Sequence, residues 1–371
     1  MPVRNRILSS LAAASLILAA GCSDSNNSPD PVVGPVAEPF QELIDQGVTR
    51  YLGVYSPMVT ETEGDIVNYT FGAGDGPLCL DGSEYTMATR DKGSDELVIF
   101  LQGGGACWSQ LCLATESADK GIPKAGILDP DLAGNPVAEW NTVYLPYCDG
   151  GLHASDADSD TDGDGQNDRF QRGLHNLSAA LDVAVTTFPS PKRILLTGIS
   201  AGGFGTTYAL PLVRSLYPGI PIEVINDSGL GLARPGEPEF VELLMNDWNM
   251  AAFIPASCDN CIGADGHTTD YHKWELAQDD NIRLSMMSYK RDSTIALTFV
   301  QVAGEEFEKT LLEETADLEA AFPERMHSFI ANGNSHTFLL YDTSITAGGV
   351  TVLDWVSAML DGSPDWVSTS D

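Results

Sequence analysis

Basic residues are scarce in this chain of 371 residues: 19 lysines and arginines stand against 53 aspartates and glutamates, a formal charge of −34 at neutral pH. So negative a protein repels other polyanions. That argues against nucleic acid or an anionic membrane face as a partner, and against a polyanionic substrate. A long apolar run is also missing. The nearest approach, Ile7 to Ala20, is too short to span a bilayer comfortably. Histidine is scarce too, with six in the whole chain, so candidates for a general base are few.

The apolar run reads instead as an export signal, with Arg4 and Arg6 before it and small residues at its end. Ala19-Ala20-Gly21-Cys22 resembles a bacterial lipoprotein box, in which the cysteine is lipidated and becomes the new N-terminus; Ala19 stands where leucine is more usual. Residues 1–21 are then a signal peptide and Cys22 a lipid anchor to the bacterial cell envelope. Ser23 after it resembles outer-membrane sorting. Removing residues 1–21 takes two arginines and no acid, leaving 17 basic side chains against 53 acidic ones and a charge of −36. Residues 22–39, rich in Ser, Asn, Asp and Pro, read as a disordered tether ahead of one domain at 40–371. Six further cysteines in an exported chain suggest three disulfides. Of 15 possible pairings, proximity in the chain favours Cys79–Cys148, Cys107–Cys112 and Cys258–Cys261.

The chain is organised around Arg193 to Thr207. The apolar run Ile194-Leu195-Leu196 reads as a buried strand, and a segment compatible with helix starts near Thr206. Between them stands Gly198-Ile-Ser200-Ala-Gly202, the nucleophile-elbow pattern. Earlier, Glu96 to Leu101 reads as another buried strand, and it empties into Gln102-Gly103-Gly104-Gly105. A phosphate cradle needs a Gly-Lys-Ser/Thr continuation that is absent here. An oxyanion hole needs only backbone N–H groups, and Gly104, Gly105 and Ala201 are the candidate donors.

A serine hydroxyl needs an imidazole to take its proton and an acid to orient that imidazole. In elbow enzymes these follow in the order serine, acid, histidine. His336 lies in the loop that opens at Asn332 after a strand at 328–331, read as the last. His267 and His272 fall in an insertion at 230–280 read as a partly helical cap, and His327 precedes the strand. Asp292, just past a strand at 283–290, is preferred as the acid; Asp227, one strand earlier, is the alternative. The remaining elements are a short helix at 40–52, a strand at 140–146 and a helix at 170–188. The spacing around Cys258, Cys261, His267 and His272 is unlike a zinc finger.

Aspartates alternate through 156–168, and Asp158, Asp160, Asp162, Asp164 and Asp168 have the look of a calcium loop. The stretch from Asp160 to Asp168 resembles a thrombospondin type-3 repeat. An EF-hand register from Asp158 places Arg169 where the bidentate glutamate belongs. The expected role of calcium is structural, with no cofactor needed for catalysis.

With Cys79-Leu-Asp-Gly-Ser and Tyr85, Gly103-Gly-Gly105 with Cys107 and Trp108, Pro146-Tyr-Cys148, Gly198-Ile-Ser200-Ala-Gly-Gly203, Asp227-Ser-Gly229 and Ser335-His336 in view, the chain resembles the pectin acetylesterase/Notum family over most of residues 75–345. The resemblance implies an α/β-hydrolase fold: a mostly parallel central sheet with helices on both faces. It also implies a serine carboxylesterase acting on a small ester or an acylated glycan, with Ser200, Asp292 and His336 as the triad. Gln102 stands where an acidic residue is common, and the aspartate-rich loop looks like an insertion. Pectin itself, a polyuronate, would be repelled by this chain's charge. The same groups serve a peptidase or thioesterase. The alternative outside enzymes is a surface-anchored, calcium-dependent binding protein on a hydrolase fold.

Overall fold

A computed structural model describes residues 38–371 apart from 73 and 75. The signal segment and Cys22, and with them nearly all of the expected tether, lie outside the described residues. Ten strands form one sheet. In spatial order they are Val59–Glu63, Ile66–Phe71, Tyr85–Arg90, Asn141–Leu145, Glu96–Leu101, Arg193–Ile199, Ile222–Asp227, Ile282–Tyr289, Met326–Ala331 and Thr369–Ser370. The first three form an antiparallel meander, and Tyr85–Arg90 joins Asn141–Leu145 antiparallel. From there to the far edge every pairing is parallel.

Parallel strands are covered on both faces, so both sets of alternating side chains must be apolar. They are. Leu97, Ile99, Leu101, Ile194 and Leu196 enter one core layer, while Val98, Phe100, Leu195 and Ile199 enter the other. The first layer is filled by the helices Gly173–Thr187 and Ala201–Leu216, the second by the helix Val352–Leu360. The α/β architecture expected from the sequence is therefore present.

Element ends differ where tertiary pairing overrides local pattern. Of the helix expected at 40–52 only Gln41–Asp45 is α-helical; Gly47, at φ 88°, turns the chain away. The helix ahead of the serine strand starts at Gly173, because Arg169–Gln171 pairs as a strand with Ala157–Ser159. The strand before His336 begins at Met326, so His327 lies inside it, and Thr369–Ser370 pairs beyond it as a later strand.

The cysteines pair as Cys79–Cys148, Cys107–Cys112 and Cys258–Cys261. Among the described residues no helix is long and apolar enough to cross a membrane.

Candidate active site

Ser200 sits between the strand Arg193–Ile199 and the helix Ala201–Leu216, at φ 54° and ψ −122°. A residue with a side chain is strained there. The bend is held by the Ser200 N–H, which donates to the Asp227 carbonyl at 2.7 Å. It also requires the two flanking glycines. A Cβ on Gly198 would lie 2.3 Å from the Gly202 carbonyl oxygen, and one on Gly202 would lie 2.0 Å from that of Leu101. Ala201 opens the helix, so its N–H has no intrahelical acceptor and lies at the positive end of the helix dipole.

The glycine loop follows the strand Glu96–Leu101, adjacent to the serine strand in the sheet. Gly105 begins a two-stranded hairpin, Gly105–Trp108 with Leu111–Ala114, closed across its strands by Cys107–Cys112. The Cys107 N–H donates to the Gly150 carbonyl, and the Cys107 carbonyl accepts from the Trp248 indole at 2.6 Å and the Gln171 amide at 2.7 Å. Gln102 is tied down at both ends. Its side-chain oxygen accepts the Tyr147 N–H at 3.1 Å, and its carbonyl lies 2.9 Å from His153 Nε2. Burial pushes the His153 imidazole below its ordinary pKa, which suits a neutral ring donating to that carbonyl.

His153 and its neighbour Asp149 were not singled out from the sequence. Asp149 is buried and accepts from the Gly151 and His153 N–H groups and the Ser155 hydroxyl. These bonds hold Leu152 and His153 in left-handed conformations at φ 59° and 61°. Two consecutive non-glycine residues of that kind mark a constrained loop, a signal that backbone geometry carries and residue type does not.

His336 Nδ1 lies 2.6 Å from Asp292 Oδ2. Asp292 is fully buried, and its Oδ1 accepts the N–H groups of Thr294 and Ile295 at 3.0 and 3.1 Å. The imidazole is thereby fixed by one ring nitrogen, while its Nε2 is buried without a hydrogen-bond partner among the described residues. Asp227 links this loop to the serine. Besides accepting the Ser200 N–H through its carbonyl, it accepts the Phe338 and Leu339 N–H groups through Oδ2 at 2.7 and 2.9 Å. Asp227 thus bonds backbone, whereas Asp292 bonds the imidazole. Of the other histidines weighed as bases, His272 pairs with Glu275, His327 with Glu319, and His267 Nδ1 accepts the Ala233 N–H.

Ser200, Ala201 and Gly105 open onto one pocket of about 750 Å³, its mouth included. Gly104 does not line it; that residue packs against Tyr147 and Thr115. The walls are almost wholly apolar. Trp108 and Leu152 come from the glycine-loop side, Phe240 and Trp248 from the 230–280 insertion, and Phe299 from a short π-helix, Thr294–Val300. That helix, a form frequent at functional sites, begins at the two N–H groups capped by Asp292. The sequence reading did not find it.

In the acidic loop, carboxylate oxygens of Asp160, Asp162 and Asp168 come within 4.8 Å of one another, all exposed. Asp158 is turned elsewhere, with both oxygens bonded by Arg172 at 2.9 and 2.6 Å. Asp164 accepts the Gln166 N–H and is not part of the cluster.

Comparison with known proteins bears on this geometry. The family model described as Pectinacetylesterase matches residues 61–237, a span that holds the glycine loop, Ser200 and Asp227 and ends before Asp292 and His336. Pectin acetylesterase 4 of Arabidopsis thaliana is 29% identical over 169 residues, 42% of this chain and 41% of its own length. Palmitoleoyl-protein carboxylesterase notum1 of Xenopus laevis is 31% identical over 176 residues, 41% of this chain and 34% of its own length. The chain spans well under half the length of these curated relatives.

Proposed function

The chain belongs to the pectinacetylesterase family, and from that premise we propose that it is an exported serine carboxylesterase that hydrolyses O-acyl esters through Ser200, His336 and Asp292. Ser200 Oγ attacks the ester carbonyl carbon while His336 Nε2 takes its proton. Asp292 holds the other ring nitrogen and stabilises the imidazolium. The tetrahedral oxyanion is met by the N–H groups of Ala201 and Gly105, the two candidate donors that line the pocket beside Ser200. As the intermediate collapses, His336 returns the proton to the leaving alcohol and an acyl-serine remains. Water, deprotonated by the same imidazole, then releases the acid.

The observation that carries this reading is the His336–Asp292 pair at 2.6 Å, with the opposite ring nitrogen buried and unpartnered. The apolar walls beside Ser200 support an acyl group as the part of the substrate that is buried. The alcohol part is a small hydroxyl compound or a glycan, and the negative charge of the chain disfavours a polyuronate. Three disulfides support export to an oxidising compartment, and Cys22 is the proposed site of a lipid anchor holding the protein at the outer membrane. For the acidic loop we propose structural calcium held by Asp160, Asp162 and Asp168, without Asp158; bound there, it would neutralise clustered carboxylates and brace the loop.

A fluorophosphonate probe tests the catalytic reading directly. Labelling of the wild type that disappears in Ser200→Ala is the expected result. A folded wild type that is not labelled would leave a binding protein on a hydrolase fold. A series of p-nitrophenyl esters then measures the acyl preference.

A further inference from the structure

We propose that Asp227 is a positioning residue for this reaction: one residue holds the nucleophile through its main chain and the general base through its side chain, so the two keep their register. The inference rests on the serine-esterase reading above. Its geometry is independent of that reading. Asp227 ends the strand Ile222–Asp227, which is paired to the serine strand with Ile199 opposite Asp227. Its carbonyl accepts the Ser200 N–H at 2.7 Å. Its carboxylate Oδ2 accepts the N–H groups of Phe338 and Leu339, two and three residues past His336, and its Oδ1 accepts the Ser228 hydroxyl at 3.2 Å. The Ser228 hydroxyl in turn accepts the Thr337 N–H at 3.3 Å. Three consecutive amides after the base are therefore held from the Asp227–Ser228 dipeptide.

A turn residue that bonds only its own backbone would not reach across 111 and 112 positions of sequence, as this carboxylate does. Nor is Asp227 the triad acid, because its oxygens take the Phe338 and Leu339 N–H groups and the Ser228 hydroxyl while Asp292 occupies the imidazole. Bonds to a charged acceptor are the stronger kind, so the clamp is tightest when Asp227 is ionised. Its surroundings oppose that. Asp227 is fully buried, and burial pushes its carboxyl up to about 6, against the pull of the Leu339 and Phe338 amides and of His336. The titratable groups facing it are His336, from the loop that it clamps, and Tyr289, from the end of the neighbouring strand. Tyr289 is pushed up to about 12 by burial and then by the carboxylates of Asp342, Asp227 and Asp292, so it stays neutral at neutral pH.

The test compares wild type, Asp227→Asn and Asp227→Ala by kcat and KM across pH, and by amide hydrogen exchange of residues 335–340. Asparagine keeps the shape and one acceptor oxygen while removing the charge, which guards against a misfolded alanine variant. The expected result for Asp227→Asn is a kcat lowered about 10- to 100-fold with KM within about two-fold, and faster exchange at 335–340. In the wild type the acid limb of kcat should fall with two protons, one on the base and one on Asp227; in Asp227→Asn it should fall with one. A variant with wild-type kcat and an unchanged two-proton limb overturns the proposal, as does unchanged exchange at 335–340. If the wild type itself shows no Ser200-dependent turnover, the esterase reading fails, and the exchange data still decide whether Asp227 clamps the loop.

Discussion

Two carboxylate-bearing regions of this molecule carry equally legible sequence patterns and differ in almost everything else. Asp227 and Asp292, at the ends of neighbouring strands, are fully buried, and each spans distant segments of chain. Asp160 and Asp168, in the acidic loop, are exposed and bond mainly their own loop: Asp160 accepts from Gly163 and Gly165, and Asp168 from Thr161. The proton affinities of Asp227 and of the two loop aspartates move in opposite directions. Burial raises the Asp227 carboxyl to about 6, whereas backbone N–H groups, those of Gly165 and Thr161 first, lower Asp160 and Asp168. The same side chain is thus costly to ionise in one place and easily ionised in the other. A buried carboxylate kept despite that cost is a better sign of chemistry than a denser cluster in water.

The sharpest way to break the comparison is to remove the buried machinery. Ser200→Ala should lower kcat on the order of 10⁴- to 10⁶-fold, because the members of a triad act as a unit. Asp292→Ala should cost about 10⁴-fold, by freeing the imidazole to take the wrong orientation. Steady-state turnover of a p-nitrophenyl ester measures both. Should Asp227→Ala cost more than Asp292→Ala, the roles given to the two aspartates are reversed.

Smaller effects concern stability. Cys79–Cys148 closes 69 positions of sequence and Cys258–Cys261 only 3. The chain-entropy account then assigns about 4 kcal/mol to the first and about 2 to the second. Replacing each pair by alanine should reproduce that order in urea unfolding, and equal losses would mean native packing dominates instead. For Asp227 the sign follows from linkage. Its folded pKa, about 6, lies above the unfolded value near 3.9, so the folded state binds the extra proton between them and stability falls as pH rises through that window. The full cost, about 3 kcal/mol, is present above pH 6. Asp227→Asn should therefore unfold no more easily than wild type at pH 8 while losing turnover, a combination that a purely structural residue would not give.

The elbow was legible because its chemistry is local: two glycines and a serine at fixed spacing dictate the bend at Ser200. The strands of the parallel half were legible for a similar reason, since those such as Leu97–Leu101 and Ile194–Ile199 are apolar on both faces. What escaped the sequence depends on contacts across the sheet. The Thr294–Val300 π-helix owes its start to Asp292, and the Leu152-His153 conformation to Asp149. Neither carries a periodic or compositional mark. Asp158 stands apart from its neighbours for a related reason. Alternation grouped it with Asp160, but Arg172 takes both of its oxygens, and alternation cannot see a partner 14 residues away.

The smallest expected effect belongs to the acidic loop, and it completes the comparison. If Asp160, Asp162 and Asp168 hold calcium, saturating the ion at about 100 times its Kd adds about 2.7 kcal/mol to the folded state. In a domain of this size that is a rise of several degrees in Tm. Chelation should remove the shift without changing kcat, because the exposed loop supplies no residue to the pocket beside Ser200. Asp160→Ala should abolish it, while Asp158→Ala should lose only the Arg172 pair and keep it. A melt indifferent to calcium would leave the cluster as a solvated loop braced by its own N–H groups. A chelator that slowed turnover would be more damaging, since it would tie the exposed carboxylates to the chemistry from which their solvation separates them.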